Sequence, residues 1–186
     1  MPDKNFKFIE VCSGCGGLSY GFMKQKFTPL LLNDNNKYCV ETLKLNHPNS
    51  NIFSKSMLDI NLDDLKDKSV DLLMGGVPCQ SFSQAGQRKG IDDNRGKLIL
   101  YFIKMIKEIK PKVFLIENVK GLLTHNKGET LNLVIEEIKK INKYNIQYEV
   151  LNSNDYNVPQ NRERLIIVGT LKTIDKKFNF PKKNLY

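Results

Sequence analysis

Residues 8–22 read FIEVCSGCGGLSYGF. A short apolar run leads into a glycine cluster and then into apolar residues at helical spacing, the order of strand, tight turn and helix. Gly14, Gly16 and Gly17 let the backbone turn sharply and let a ligand approach it with no Cβ in the way. The spacing departs from the dinucleotide fingerprint, whose third glycine would fall at position 19, where Ser19 stands. A nucleotide without a pyrophosphate fits this turn better.

Outward from the turn the same alternation repeats. KFIEV (7–11), PLLLN (29–33), VDLLMGG (70–76) and KVFLIEN (112–118) are short apolar runs of the kind buried on both faces of a parallel sheet. Between them Leu18–Lys24, Lys37–Asn46 and Leu98–Lys110 carry helical spacing, and a fourth helix is expected over Thr130–Lys143. The alternation predicts a doubly wound α/β sheet. YEVLNS (148–153) and RLIIVGT (164–170) are joined by a stretch too short for a parallel crossover, so this pair is expected to be antiparallel.

The 186 residues suit one domain with its own core, 1–186. The opening MPDKNFKFIEV shows no signal pattern and no run is long enough to span a bilayer. A cytoplasmic setting with no membrane partner is therefore expected, in which four cysteines are free thiols rather than a disulfide framework. The formal charge of +9 suggests a polyanionic partner, nucleic acid first, although the excess lysine is scattered along the chain.

Asp34 follows the second apolar run, where an acid accepts hydrogen bonds from ribose hydroxyls; the alternative is a helix N-cap before Lys37. Asp59 is expected at the next strand end, within reach of an adenine amino group. Cys12 and Cys15 form a C-x-x-C, but a structural zinc site needs two further close ligands, and no metal is expected. In MGGVPCQSFSQAG (74–86), Cys79 stands at the carboxyl edge of the sheet, beside the cleft where open α/β sheets bind ligands. A thiol there suits a nucleophile, and Glu117, ending the neighbouring strand, faces the same cleft. The segment Gln80–Lys97 is long and polar, with glycines at 86, 90 and 96, as functional loops often are.

The order CSGCGG (12–17), VPCQSFSQAG (77–86), ENVKGLL (117–123) and VPQNRERLIIVG (158–169) resembles the DNA (cytosine-5)-methyltransferases over nearly the whole chain. The resemblance implies a Rossmann-like S-adenosylmethionine-dependent methyltransferase fold, mostly parallel, with an antiparallel strand near the C-terminus. It implies Cys79 as nucleophile towards cytosine C6, Glu117 as the acid at ring N3, and Arg162 and Arg164 as supporting cations. For the cofactor S-adenosyl-L-methionine and its product S-adenosyl-L-homocysteine, it places Cys12, Ser13, Gly14, Cys15 and Gly17 around the methionine part. Asp34 and Asn35 fall at the ribose, Asp59 and Ile60 at adenine, and Gly76, Pro78 and Leu98 along the wall. The target base must leave the duplex, and the 80–97 segment resembles the family's catalytic loop. Gln80, Ser81, Ser83, Arg88, Lys89 and Arg95 are its expected DNA contacts.

The sequence departs from the family pattern at Cys12, where phenylalanine is common, at Glu10, where aspartate is usual, and at Asn35, where a bulky apolar residue is frequent. The family's target-recognition region and its last two conserved blocks have no counterpart in these residues. The expected partners are therefore double-stranded DNA and a second polypeptide carrying the recognition region. The alternatives are a transfer-RNA cytosine-5 methyltransferase and an inactive cofactor- or partner-binding subunit.

Overall fold

The computed structural model describes residues 5–78 and 94–184, without the side chains of Asn94 and Arg95. Strand β1 (Lys7–Val11) is central and almost wholly buried. Beside it on one side run β2 (Thr28–Asn33) and the two-residue β3 (Ile52–Phe53), and on the other β4 (Leu72–Gly75) and β5 (Val113–Val119), all parallel. Strands β6 (Tyr144–Asn152) and β7 (Glu163–Leu171) complete the order β3-β2-β1-β4-β5-β7-β6, with β7 antiparallel to both of its neighbours. The expected sheet and its antiparallel strand are present; β3 went unread because two residues are too few to show a period.

Alternation along the strands divides the core in two. Ile9, Leu73, Phe114, Ile116 and Leu165 face one layer. That layer is built by α3 (Asp63–Lys66), α4 (Asn94–Ile109) and α5 (Glu129–Lys139), and contributes Leu65, Phe102, Ile106, Val134 and Ile138. Phe8, Leu32, Leu72 and Met74 face the other layer, packed against α1 (Gly17–Lys24) and α2 (Lys37–Asn46). Helix α4 starts four residues before the expected Leu98, and α5 stops at Lys139 because Asn142, at φ 53°, turns the chain into β6.

The second layer is incomplete. Helices α1 and α2 leave a depression of about 820 Å³ bounded by Phe6, Phe22 and Phe27 on one side and Phe178 and Phe180 on the other. Its floor is the apolar face of β4, β5 and β7 through Leu72, Leu115, Ile166 and Val168. Leu18, Phe22 and Met23 of α1 are half-buried, while much of the apolar lining of this depression belongs to the sheet.

Candidate active site

The turn after β1 is strained and tied down. Cys12, Gly14 and Gly16 all have positive φ, at 52°, 56° and 84°. A Cβ on Gly16 would lie 2.4 Å from His47 Nε2, so only glycine fits where α1 begins. The Ser13 N–H donates to the Asn33 carbonyl at 2.9 Å, and the Gly14 N–H donates to Asp34 Oδ2 at 2.8 Å. Asp34 Oδ1 accepts from the Asn36 N–H at 2.9 Å. The N-cap of α2 is Asn36, whose Oδ1 accepts from Tyr38 and Cys39, so the capping alternative for Asp34 is set aside. Its carboxylate instead binds the turn to the β2 exit.

Asp34 and Asn35 line a crevice together with Cys12, Asn33, Ser56, Met57 and Leu98. Asp59 is not at a strand end; it closes a short 3-10 turn, Met57–Asp59, with its side chain exposed. Ile60 is buried, and its carbonyl accepts from the Tyr101 hydroxyl at 2.7 Å. Cys12 points inward, its thiol donating to Met57 Sδ at 3.7 Å. Burial, with Asp34 and Glu10 adding repulsion, pushes that thiol up to about 12, so it stays protonated.

Across the crevice, β4 ends in two glycines that permit close backbone approach. A Cβ on Gly75 would meet the Val11 carbonyl at 2.7 Å, and one on Gly76 would lie 3.3 Å from Glu117 Oε2 and 3.7 Å from the Cys12 carbonyl. Gly76 is thus where the two halves of the site meet. The Asn118 amide donates to the Val77 carbonyl at 2.8 Å, tying the end of β5 to the peptide just before Pro78. Antiparallel pairing sets Arg164 of β7 opposite Val119. From there Arg164 Nε donates to Glu117 Oε1 at 2.9 Å, while Arg162 Nη2 lies 3.8 Å from the same oxygen. Arg164 is itself aimed by a bond from Nη1 to the Glu163 carbonyl at 2.8 Å.

The chain that carries this arginine-held carboxylate and acid-closed glycine turn matches a known family over residues 6–186: C-5 cytosine-specific DNA methylase. The chain belongs to that methylase family. It is 40% identical over 185 residues to the type II methyltransferase M.PspPI of Psychrobacter, covering 100% of this chain and 44% of the relative. It is 38% identical to M.AquIA of Picosynechococcus, covering 94% of this chain and 75% of that protein. Among solved structures it is similar to a prophage-encoded methyltransferase of Escherichia coli, with TM-score 0.80, 26% identity, and coverage of 94% of this chain and 49% of the other. The chain spans less than half the length of M.PspPI and about half that of the solved structure.

Within this methylase domain, the fold brings together Glu117, Arg164 and Gly76 on one side and Cys12, Ser13, Gly14 and Asp34 on the other, while Pro78 is exposed at the end of the described stretch. Gly17 opens α1 exposed, and Cys15 is exposed and not among the residues that line the crevice. Cys79, Gln80, Ser81, Ser83, Arg88 and Lys89 lie outside the described residues, as does the Arg95 side chain. Sequence reading missed Ser56, Met57, Tyr101 and the bridging role of Asn118. The first three carry no motif; the bridge of Asn118 depends on strand adjacency, which pattern alone leaves open. Among the described residues no helix is long and apolar enough to cross a membrane, and no cluster of side chains could hold a metal ion.

Proposed function

We propose that this chain is the catalytic and cofactor-binding part of a DNA cytosine-5 methyltransferase. The observation that carries the reading is the Arg164-held carboxylate of Glu117, 3.3 Å from the Cβ position of Gly76 and thus beside the peptide that leads to Cys79.

S-adenosyl-L-methionine, when bound, supplies an electrophilic methyl group. The residues present fit such a ligand, because Gly14 and Gly76 bring bare backbone to the crevice and Asp34 sits at the β2 exit where ribose hydroxyls are read. Asn35 and Leu98 line the crevice with Asp34, and Asp59 and Ile60 are assigned to the adenine end. Cys79 adds its thiolate to C6 of an extruded cytosine, which makes C5 nucleophilic. Glu117 holds a proton between its carboxyl group and ring N3, and Arg164 keeps that carboxyl group oriented. Arg162, half exposed beside it, is placed to meet the ring carbonyl. After transfer, loss of the C5 proton expels Cys79. The 80–97 segment, with Gln80, Ser81, Ser83, Arg88, Lys89 and Arg95, contacts the DNA.

A second polypeptide carrying the target-recognition region completes the enzyme. The uncovered apolar half of the second sheet face supports this, since an exposed patch of that size marks a docking surface. The setting is cytoplasmic, as the free thiols of Cys12, Cys15 and Cys39 suggest.

Duplex DNA carrying 5-fluorocytosine tests the reading, because the fluorine blocks the final proton loss and traps the adduct. A covalent complex mapped to Cys79, formed only with the cofactor and absent in Cys79→Ser, is expected. An adduct on another residue, or trapping on transfer RNA in preference to duplex DNA, would overturn it.

A further inference from the structure

The two ends of the sheet are finished differently. At one end β3 has two residues, Ile52–Phe53, too few to template another strand. At the other end β6 runs for nine residues and pairs only with β7. Its register is unbroken from Tyr144 opposite Leu171 to Asn152 opposite Glu163. One step beyond each end, the Lys172 N–H donates to the Lys143 carbonyl at 2.9 Å and the Ser153 N–H to the Arg162 carbonyl at 3.0 Å. Backbone groups alternate in direction along an antiparallel strand, so Asn145, Gln147, Glu149 and Leu151 turn theirs towards β7. Tyr144, Ile146, Tyr148, Val150 and Asn152 turn theirs out of the sheet. Among the described residues no other backbone segment bonds to this outward row. The tail after β7 is held on the face of the strand instead, where the Gln147 side chain donates to the Phe178 carbonyl at 3.0 Å.

Natural proteins blunt open edges with lysine, proline or a bulge. The strand YNIQYEVLN contains neither residue, and its pairing with β7 shows no shift. Tyr148, at its centre, is 49% exposed.

We propose that the β6 edge pairs with the same edge of a second copy of this chain, antiparallel about a two-fold axis at Tyr148, joining two sheets into one. Hydrogen bonds form only where outward groups meet outward groups. An axis at Tyr148 achieves this with Tyr144 opposite Asn152, Ile146 opposite Val150 and Tyr148 opposite its own copy, so the whole strand is paired. An axis at Gln147 or Glu149 also matches the outward groups but leaves residues at one end of each strand unpaired. The axis at Glu149 sets two carboxylates face to face as well. With the axis at Tyr148 each Glu149 meets Gln147, two β-branched or apolar side chains meet at Ile146 and Val150, and two tyrosines meet at the centre. The strand is its own complement, which selects a second copy over a foreign strand. The pairing is independent of the catalytic reading above.

Sedimentation velocity of the 186-residue chain over a concentration series tests the proposal, and a monomer–dimer equilibrium is the expected result. Tyr148→Lys, which opposes two ammonium groups across the axis, should abolish the dimer. Its circular dichroism spectrum should stay that of the parent, because Tyr148 is half exposed. Tyr148→Cys fixes the register. Cα atoms of a hydrogen-bonded pair lie about 5.5 Å apart, within the roughly 4.4–6.8 Å that a disulfide spans. Mild oxidation should therefore link tryptic peptide 144–162 to itself, whereas Gln147→Cys, offset along the strand from its own copy, should not form that link. A parent chain that is monomeric at every concentration overturns the proposal. So does a dimer that persists in Tyr148→Lys, or an oxidised Tyr148→Cys chain without the self-link, or self-linking of Gln147→Cys in its place.

Discussion

Glu10 and Glu117 are both glutamates on parallel strands that flank β4, and the fold treats them in opposite ways. Glu10 is 2% exposed on β1 and has no ion-pair partner among the described residues. Its Oε2 has no hydrogen-bond partner there either. Burial above all, with some repulsion from Asp34, pushes its carboxyl group up to about 7, against opposing hydrogen bonds from Ser19. Glu117 lies two residues before the end of β5, where the side chain keeps 26% of its exposure and receives Arg164 at 2.9 Å. For the glutamate beneath the glycine turn, burial thus favours the protonated form. A glutamate near the strand end, alongside an antiparallel neighbour that supplies cations, is the one we propose for chemistry.

The sharpest way to break this comparison is Glu117→Gln, which keeps the shape and loses the titratable proton. Methyl incorporation into duplex DNA by the completed enzyme should fall by about 10²–10⁴-fold, with S-adenosyl-L-homocysteine affinity nearly unchanged. A variant that turns over normally would place Glu117 with Glu10 as a packing residue.

Glu10→Gln tests the other side. A carboxyl group raised in the folded state takes up a proton on folding between its unfolded value near 4.5 and about 7. Its contribution to stability is therefore fully present below the lower value and is lost as the pH rises to the upper one. Urea titrations of the parent chain should show that loss, worth about 3 kcal/mol, and the glutamine variant should lack it, becoming the more stable chain at pH 8. Parallel pH profiles for the two chains would mean that Glu10 is ionised throughout.

The smallest effect sharpens the distinction between a held carboxylate and a merely paired one. Lys120 bonds both oxygens of Glu163 at 2.8 and 2.9 Å, next to Arg164 in sequence, yet both side chains are largely exposed. Lys120→Ala should cost about 0.5 kcal/mol or less by the same titrations and leave turnover within about twofold. A loss of turnover comparable to that of Arg164→Ala would extend the functional ion-pair system outward to this pair.

The strand–turn–helix order, the parallel sheet and its antiparallel end were legible in residues 7–171 because hydrophobic period and glycine placement are local properties. Cys79, Glu117, Arg162 and Arg164 were legible as motif residues, since each sits in a distinctive short string. Asp34 was legible only as a choice between cap and ligand. The structure settles against the cap, because Asn36 takes that place and the Gly14 N–H takes the carboxylate. Asp59 was placed at a strand end that does not exist, since β3 stops at Phe53 and a 3-10 turn intervenes.

The sequence by itself therefore determined the type and order of the elements and the residue kinds offered to the carboxyl edge. Which of those residues meet was decided only in three dimensions. Arg164 reaches Glu117 through the β5–β7 register, the Gly14 N–H reaches Asp34 from the turn, and Asn118 reaches Val77 between neighbouring strands. The same holds for charge. Glu10 and Glu117 are identical in the sequence, and only burial on one side and an arginine on the other make them different acids.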